Sequence, residues 1–270
     1  MKRRIQDLKR LVFYAARKHK ADFFSIANKF EDRGILNSEM LCIVSLCKEM
    51  DIEVLIETGR FRGQSTEILA KFFRDTKIEI ISIELLIDQN SEYVESKMKK
   101  YNNIQLLYGD SAELIPQLVK DHKHQNIGIL FDGPKGKTAI EIFKYCLTIS
   151  DKVGIGCFHD MRKPLGNMPN HSRKYLEKDF STTFFTDDVK YISEFQSIDN
   201  PCRGKFWRPY VLNQNSIGSY GPTVGIVIPD EKDINQARIR KGFLAVEIWF
   251  FRINIKIIVF LHLLRKIIKI

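Results

Sequence analysis

The sequence predicts an α/β chain, with a doubly wound, mostly parallel seven-stranded sheet and helical additions at both ends. Three observations predict it. Short apolar runs rich in β-branched residues recur at 53–57, 78–84, 104–108, 127–132 and 152–159. Amphipathic stretches of helical spacing separate them, near 64–74, 90–100, 111–120 and 138–149, and parallel neighbours need crossovers of that kind. After a helix near 171–178, strand-like runs at 182–186 and 223–228 complete the seven.

Before the first strand, residues 5–30 read as one or two helices, with Ile5, Leu8, Leu11, Val12 and Ala15 on an apolar face. A helix over 38–49 then leads into the sheet. This gives an N-terminal basic helical segment at 1–49, a central domain at 50–230 and a C-terminal tail at 231–270. The apolar stretch near the N-terminus is short and interrupted by charge, so no signal peptide is evident. At 270 residues and 44% hydrophobic, the chain can bury one good core with appendages. Five cysteines, with no C-x-x-C pair, argue for reduced thiols in a cytoplasmic compartment, and against a disulfide framework or a zinc site. The net charge of +10 gathers at the ends. That suggests a polyanionic surface, with solvated basic helix faces as the alternative.

The first strand and its turn organise the rest. Val54, Leu55 and Ile56 end at Glu57, a turn carries Gly59 and Gly63, and a helix opens at Gln64, Ser65 and Thr66. Glycine lets the backbone approach a ligand closely, and the helix start offers N–H donors. The pattern is E-x-G-x-x-x-G rather than G-x-G-x-x-G or a phosphate loop. An acid at that strand end suits a ligand bearing an ammonium and hydroxyls. Further acids follow at successive strand ends. Glu84 can accept both hydroxyls of a ribose. Asp110, followed by Ser111, can accept from an exocyclic amine or simply cap a helix. Asp132 ends the fourth strand, and His159-Asp160 follows the fifth.

This set resembles the class I S-adenosylmethionine (SAM) methyltransferases, specifically the macrocin and cephalosporin-cluster O-methyltransferase group. The resemblance rests on E-x-G-x-x-x-G-x-S-T at Glu57–Thr66, on Glu84, on Gly109-Asp110-Ser111, on Asp132-Gly133 and on His159-Asp160. It covers roughly residues 50–160. It implies a Rossmann-like sheet with an antiparallel edge and SAM held by Glu57, Gly59, Gly63, Gln64, Ser65, Glu84, Asp110, Ser111 and Asp132. It also implies that 187–221 covers the substrate, where Arg203, Lys205 and Arg208 would suit a negative charge. One departure stands out. Metal-dependent members carry a histidine-bearing segment after the Asp-Gly, and this chain has Pro134 and Lys135. Asp132 and Asp160 could still face Mg²⁺, but no metal ligand is assigned.

The catalytic candidates are His159, Asp160 and Lys135. His159 is the candidate general base, since imidazole titrates near neutrality; a histidine merely satisfied at a strand end is the alternative. Asp160 would orient it or bind a metal. Lys135 would hold an anionic substrate or stabilise an oxyanion, or it is a solvated loop lysine.

Residues 242–270 form a basic, aromatic-rich amphipathic segment, interrupted by Glu247, Arg252, Lys256 and His262 and so too polar to span a bilayer. As a helix it would lie at a membrane interface, pack on its own domain or join a second subunit; Ile253 to Val259 leaves a strand open. The expectation is a SAM-dependent methyltransferase acting on oxygen of a small molecule or saccharide, cytoplasmic or peripheral at the inner face of a membrane. Nucleic acid is not favoured, and a homo-oligomer is compatible. The rivals are a NAD-dependent oxidoreductase on a similar sheet and a catalytically silent methyltransferase-like adaptor.

Overall fold

The computed structural model describes residues 2–27, 34–161, 171–202 and 224–268. Two N-terminal helices, α1 (Lys2–Ile26) and α2 (Asn37–Glu49), precede the sheet. Then β1 (Val54–Thr58), α3 (Gln64–Phe72), β2 (Glu79–Glu84), α4 (Ser91–Met98), β3 (Ile104–Tyr108), α5 (Ser111–Asp121), β4 (Ile127–Phe131), α6 (Lys137–Leu147) and β5 (Val153–Phe158) alternate as expected. The chain continues through α7 (His171–Asp179), β6 (Thr183–Phe185), α8 (Val189–Phe195), a 3₁₀ turn, β7 (Gly225–Val227), α9 (Glu231–Ile239) and α10 (Lys241–Ile268).

The strands form one seven-stranded sheet in the order β3-β2-β1-β4-β5-β7-β6. The first five are parallel, and β7 lies antiparallel to both β5 and β6. The order reverses between β1 and β4, the switch point where open α/β sheets bind ligands at the strands' carboxyl ends.

Alternation along each strand builds two cores. Leu55, Ile80, Leu130 and Ile155 face one side, with α1 to α3. Val54, Ile56, Ile81, Ile83, Ile129 and Phe131 face the other, with α5 and α6. Successive side chains of a strand point to opposite faces, so a strand covered on both sides reads as a continuous apolar run. The N-terminal helix is single and shares the first core. Its Leu8, Val12, Ala15, Ala16 and Phe23 are buried, whereas Ile5 stays exposed. Cys42, Cys47, Cys146 and Cys157 are free, buried thiols. Burial alone raises Cys146, and it drives the rise at Cys47 to about 12, so these cysteines are packing residues rather than nucleophiles.

Two features differ from expectation. α9, capped by Asp230 accepting from the Asp233 N–H at 2.9 Å, had no counterpart in the sequence reading. The strand left open at 253–259 is not formed, because α10 runs through it. α10 packs by Leu244 and Ile248, both buried in contact with the second core or its edge. Its ion pairs are Glu247 with Lys137 at 3.0 Å and Arg252 with Glu113 at 2.6 Å. Among the described part of 187–221, α8 packs back on the N-terminal helices through the Tyr191 hydroxyl, which donates to the Ser38 carbonyl at 2.8 Å. Arg203, Lys205 and Arg208, and with them most of the expected cover, lie outside the described residues.

Candidate functional site

The carboxyl ends of β1 to β5 form a continuous edge stitched by backbone bonds. The Gly59 N–H donates to the Ile83 carbonyl at 3.1 Å, Gly109 to Glu84 at 2.9 Å, Asp132 to Thr58 at 2.9 Å, and His159 to Phe131 at 2.9 Å. The Ser111 hydroxyl donates to the Gly133 carbonyl at 3.3 Å. Every strand-end acid singled out in the sequence therefore stands on this one edge.

Glu57 is fully buried. Its Oε2 accepts from the Thr66 hydroxyl at 2.5 Å and the Ser82 hydroxyl at 2.6 Å. Its Oε1 has no hydrogen-bond partner among the described residues. Burial holds this carboxyl above its ordinary value, against the hydrogen bonds of Ser65, Ser82 and Thr66 and the charge of Arg60. Glu84 uses both oxygens to fix the neighbouring loop: Oε2 accepts the Phe61 N–H at 2.7 Å and Oε1 the Leu85 N–H at 2.9 Å. Asp110 caps α5, its Oδ1 accepting the Ala112 N–H at 2.9 Å, while Oδ2 is buried without a partner among the described residues. Burial raises its pKa too. A buried acceptor left unsatisfied costs about 1–3 kcal/mol, so each such oxygen calls for a partner such as a water, an ion or a ligand.

Both glycines of the turn also meet the protein closely. Gly59 adopts φ 82°, and a Cβ there would meet the Gly133 nitrogen at 2.6 Å. Gly63 adopts φ 72°, and its Cβ would crowd Val94 and Met98 at 3.1 and 3.3 Å. The close approaches that demand glycine are made by the β4 loop and by α4. Gln64 is likewise turned inward, its amide donating to the Ile35 carbonyl at 3.4 Å. Ser65 is buried at the helix start.

The β4–β5 end is an ion cluster. Asp132 Oδ1 lies 2.7 Å from His159 Nδ1 and 3.0 Å from Lys135 Nζ. Lys135 also contacts Asp160 Oδ2. On its other side, His159 Nε2 is 3.6 Å from Glu39 Oε2, a fully buried carboxylate on α2. Burial pulls the imidazole pKa down. The hydrogen bonds and charges of Asp132 and Glu39 outweigh it and raise the pKa to about 10. His159 is thus held between two carboxylates, an arrangement that favours its charged form over the free base its expected role would start from. At Lys135 burial also lowers the pKa, and Asp132 and Asp160 reverse it, so its ammonium is held above the ordinary value. Asp160 sits at φ 61°, a left-handed conformation that aspartate tolerates, which turns the chain away directly after β5.

Three contributors escaped the sequence reading. Ser82 joins Thr66 in holding Glu57. Glu39 faces His159. Arg60, 3% exposed, donates to the Ser82 carbonyl at 2.6 Å and lies 4.7 Å over the Tyr108 ring. A serine in the middle of the buried strand β2 was the available signal, since a buried hydroxyl needs a partner.

Neither a protein-family model nor a curated protein matches the chain. Solved structures do resemble it. SAH-bound methyltransferase PaMTH1 of Podospora anserina is 14% identical, with 80% of this chain and 88% of that one covered at TM-score 0.44. The O-methyltransferase TomG of Streptomyces achromogenes, in complex with SAM, is 14% identical, with 82% and 90% covered at TM-score 0.46. Likenesses this distant carry no statement about chemistry. The sheet order and the doubly wound, mostly parallel architecture stand on this chain's own strands.

Proposed function

We propose that the chain is a SAM-dependent methyltransferase acting on an oxygen of a small molecule or saccharide. The observation that carries the reading is the pair of buried, unpartnered carboxylate oxygens, Glu57 Oε1 and Asp110 Oδ2, flanking Glu84 on one sheet edge. Their chemistry fits an adenosyl ligand with an ammonium. Asp110 would accept an exocyclic adenine amine, Glu84 would accept ribose hydroxyls on the lone pairs its backbone donors leave, and Glu57 would balance the ligand's positive charge. SAM, when bound, would supply a methyl group on a sulfonium to an aligned hydroxyl oxygen, with S-adenosylhomocysteine as the leaving group and the hydroxyl proton passing to solvent. On the β4–β5 side Asp132 is held in place by His159 and Lys135, which fixes the polar groups beside the proposed transfer region. NAD fits less well, because Glu57 stands where a pyrophosphate would need close backbone donors. A catalytically silent adaptor has no use for unpartnered buried acids. Purified protein is expected to carry SAM or S-adenosylhomocysteine detectable by mass analysis. It should also transfer labelled methyl from SAM into a fraction of cell extract; protein that does neither sinks the reading.

The outward face of α10 favours a membrane partner. Phe243, Val246, Trp249, Phe250, Ile253 and Ile257 are 38–75% exposed, on the side opposite buried Leu244 and Ile248. Lys241 and Lys256 on the same helix are exposed, as are Arg238 and Arg240 just before it, Arg240 lying 3.8 Å from Glu247. Among the described residues no helix is long and apolar enough to cross a membrane. We assign this stripe to the interface of an anionic bilayer, where aromatic area and basic charge act together. Co-sedimentation with phosphatidylserine vesicles should exceed that with neutral vesicles and be lost in Trp249→Ser/Phe250→Ser. No vesicle binding together with concentration-dependent dimerisation would assign the stripe to a second copy.

A further inference from the structure

The donor atoms of Asp132, His159 and Asp160 all lie within 4.8 Å of one another, a set sized for one cation. Two carboxylates and an imidazole are competent ligands for a divalent ion such as Mn²⁺. The position is already contested. Lys135 Nζ is 3.0 Å from Asp132 Oδ1 and touches Asp160 Oδ2, so it bridges the two carboxylates. His159 Nδ1 points at the same Asp132 oxygen from 2.7 Å, with its ring hydrogen-bonded there rather than facing an open position. A metal ion placed among these donors would meet an ammonium at contact distance. As arranged, the residues do not fit a divalent cation.

We infer that Lys135 is a tethered cation standing where a divalent metal would otherwise bind, and that this chain works without one. The local sequence explains how it gets there. Lys135 follows Asp132 by three residues, with Gly133 and Pro134 between, and Gly136 at φ 70° turns the chain into α6 directly afterwards. The stem therefore folds back on its own strand end. An ammonium is a compact point charge with three rotatable donors. It can neutralise Asp132 and Asp160 as a metal would, while offering an acceptor oxygen a hydrogen bond instead of a coordination bond. The corollary is a latent metal site that appears when the side chain is removed.

The test reads metal binding alone, so it is independent of whether the chain transfers methyl groups. Full-length protein is stripped with chelator and titrated with Mn²⁺, followed by electron paramagnetic resonance of free Mn²⁺, with circular dichroism to verify folding. Wild type and Lys135→Arg should bind no Mn²⁺ at submillimolar concentration. Lys135→Met should bind at least tenfold more tightly than wild type, and Lys135→Met/Asp160→Asn should lose that binding. Lys135 is half exposed on a loop, so these variants should fold. Wild type binding Mn²⁺ as tightly as Lys135→Met, or a folded Lys135→Met binding none, overturns the inference.

Discussion

The two halves of the sheet edge treat their acids in opposite ways. At β1–β3, Glu57 and Asp110 are buried with one oxygen each unpartnered among the described residues. At β4–β5, Asp132 and Asp160 are matched by His159 and Lys135, and His159 is matched again by Glu39. Burying a charge is costly unless it is paired. One half has met that cost within its own chain, and in the other two acceptor oxygens stand unpartnered among the described residues. The contrast separates a half with open acceptors from a half already paired, although the strand-end acids look alike in sequence; under the proposed function these are the binding half and the transfer half.

The largest expected effect falls in the compensated half. Replacing His159 with alanine leaves Glu39 buried without its cation, while Asp132 keeps Lys135; this should cost about 3 kcal/mol of stability in denaturant unfolding. The pH dependence has a defined sign. A folded pKa raised from 6.5 to about 10 stabilises the fold fully below 6.5, and this contribution is lost as pH rises through about 10. Wild-type Tm should therefore fall across that window, and His159→Asn should flatten the fall. An equally steep fall in His159→Asn would show that the imidazole is not paired as described.

The uncompensated half should behave in reverse. Glu57→Gln and Asp110→Asn should each weaken SAM binding about tenfold, equal to about 1.4 kcal/mol, with folding stability of the ligand-free protein unchanged or raised. Burial holds both carboxyls above their ordinary values. Their contribution is thus greatest below the unfolded pKa and is lost as pH rises through the folded one. Calorimetry with SAM and thermal unfolding between pH 4 and 7 check the two statements separately. A large loss of ligand-free stability in Glu57→Gln would blur the division. The smallest effect belongs to the docking of α10. Arg252→Ala, which removes a surface pair to Glu113, should change stability by no more than about 1 kcal/mol.

Much of this was legible in the sequence, for physical reasons. Buried parallel strands must be apolar on both faces, so β1 and β4 announced themselves to within a residue; the half-buried edge strand β3 did so by its run of Ile104, Leu106 and Leu107, and strand-end acids follow from where such strands stop. What stayed hidden depends on contacts between distant elements. Glu39 reads as a helix-start residue bonding the Leu36 N–H, and nothing local places it against His159. Without it, and without Asp132 drawn in from β4, His159 looks like a free imidazole, and a general base was the natural expectation. Lys135 was open between a substrate anchor and a solvated loop because its partner Asp160 lies on another strand. Gly59 and Gly63 were read correctly as turns, but periodicity cannot say whether a ligand or the protein's own backbone fills the space beside them.

Calorimetric titration of the purified full-length chain with SAM, alongside NAD, tests the division most directly. The account predicts heat of binding with SAM that is weakened in Glu57→Gln and in Asp110→Asn, and none with NAD. Binding of NAD alone, no heat with either ligand, or SAM binding indifferent to both substitutions would contradict it.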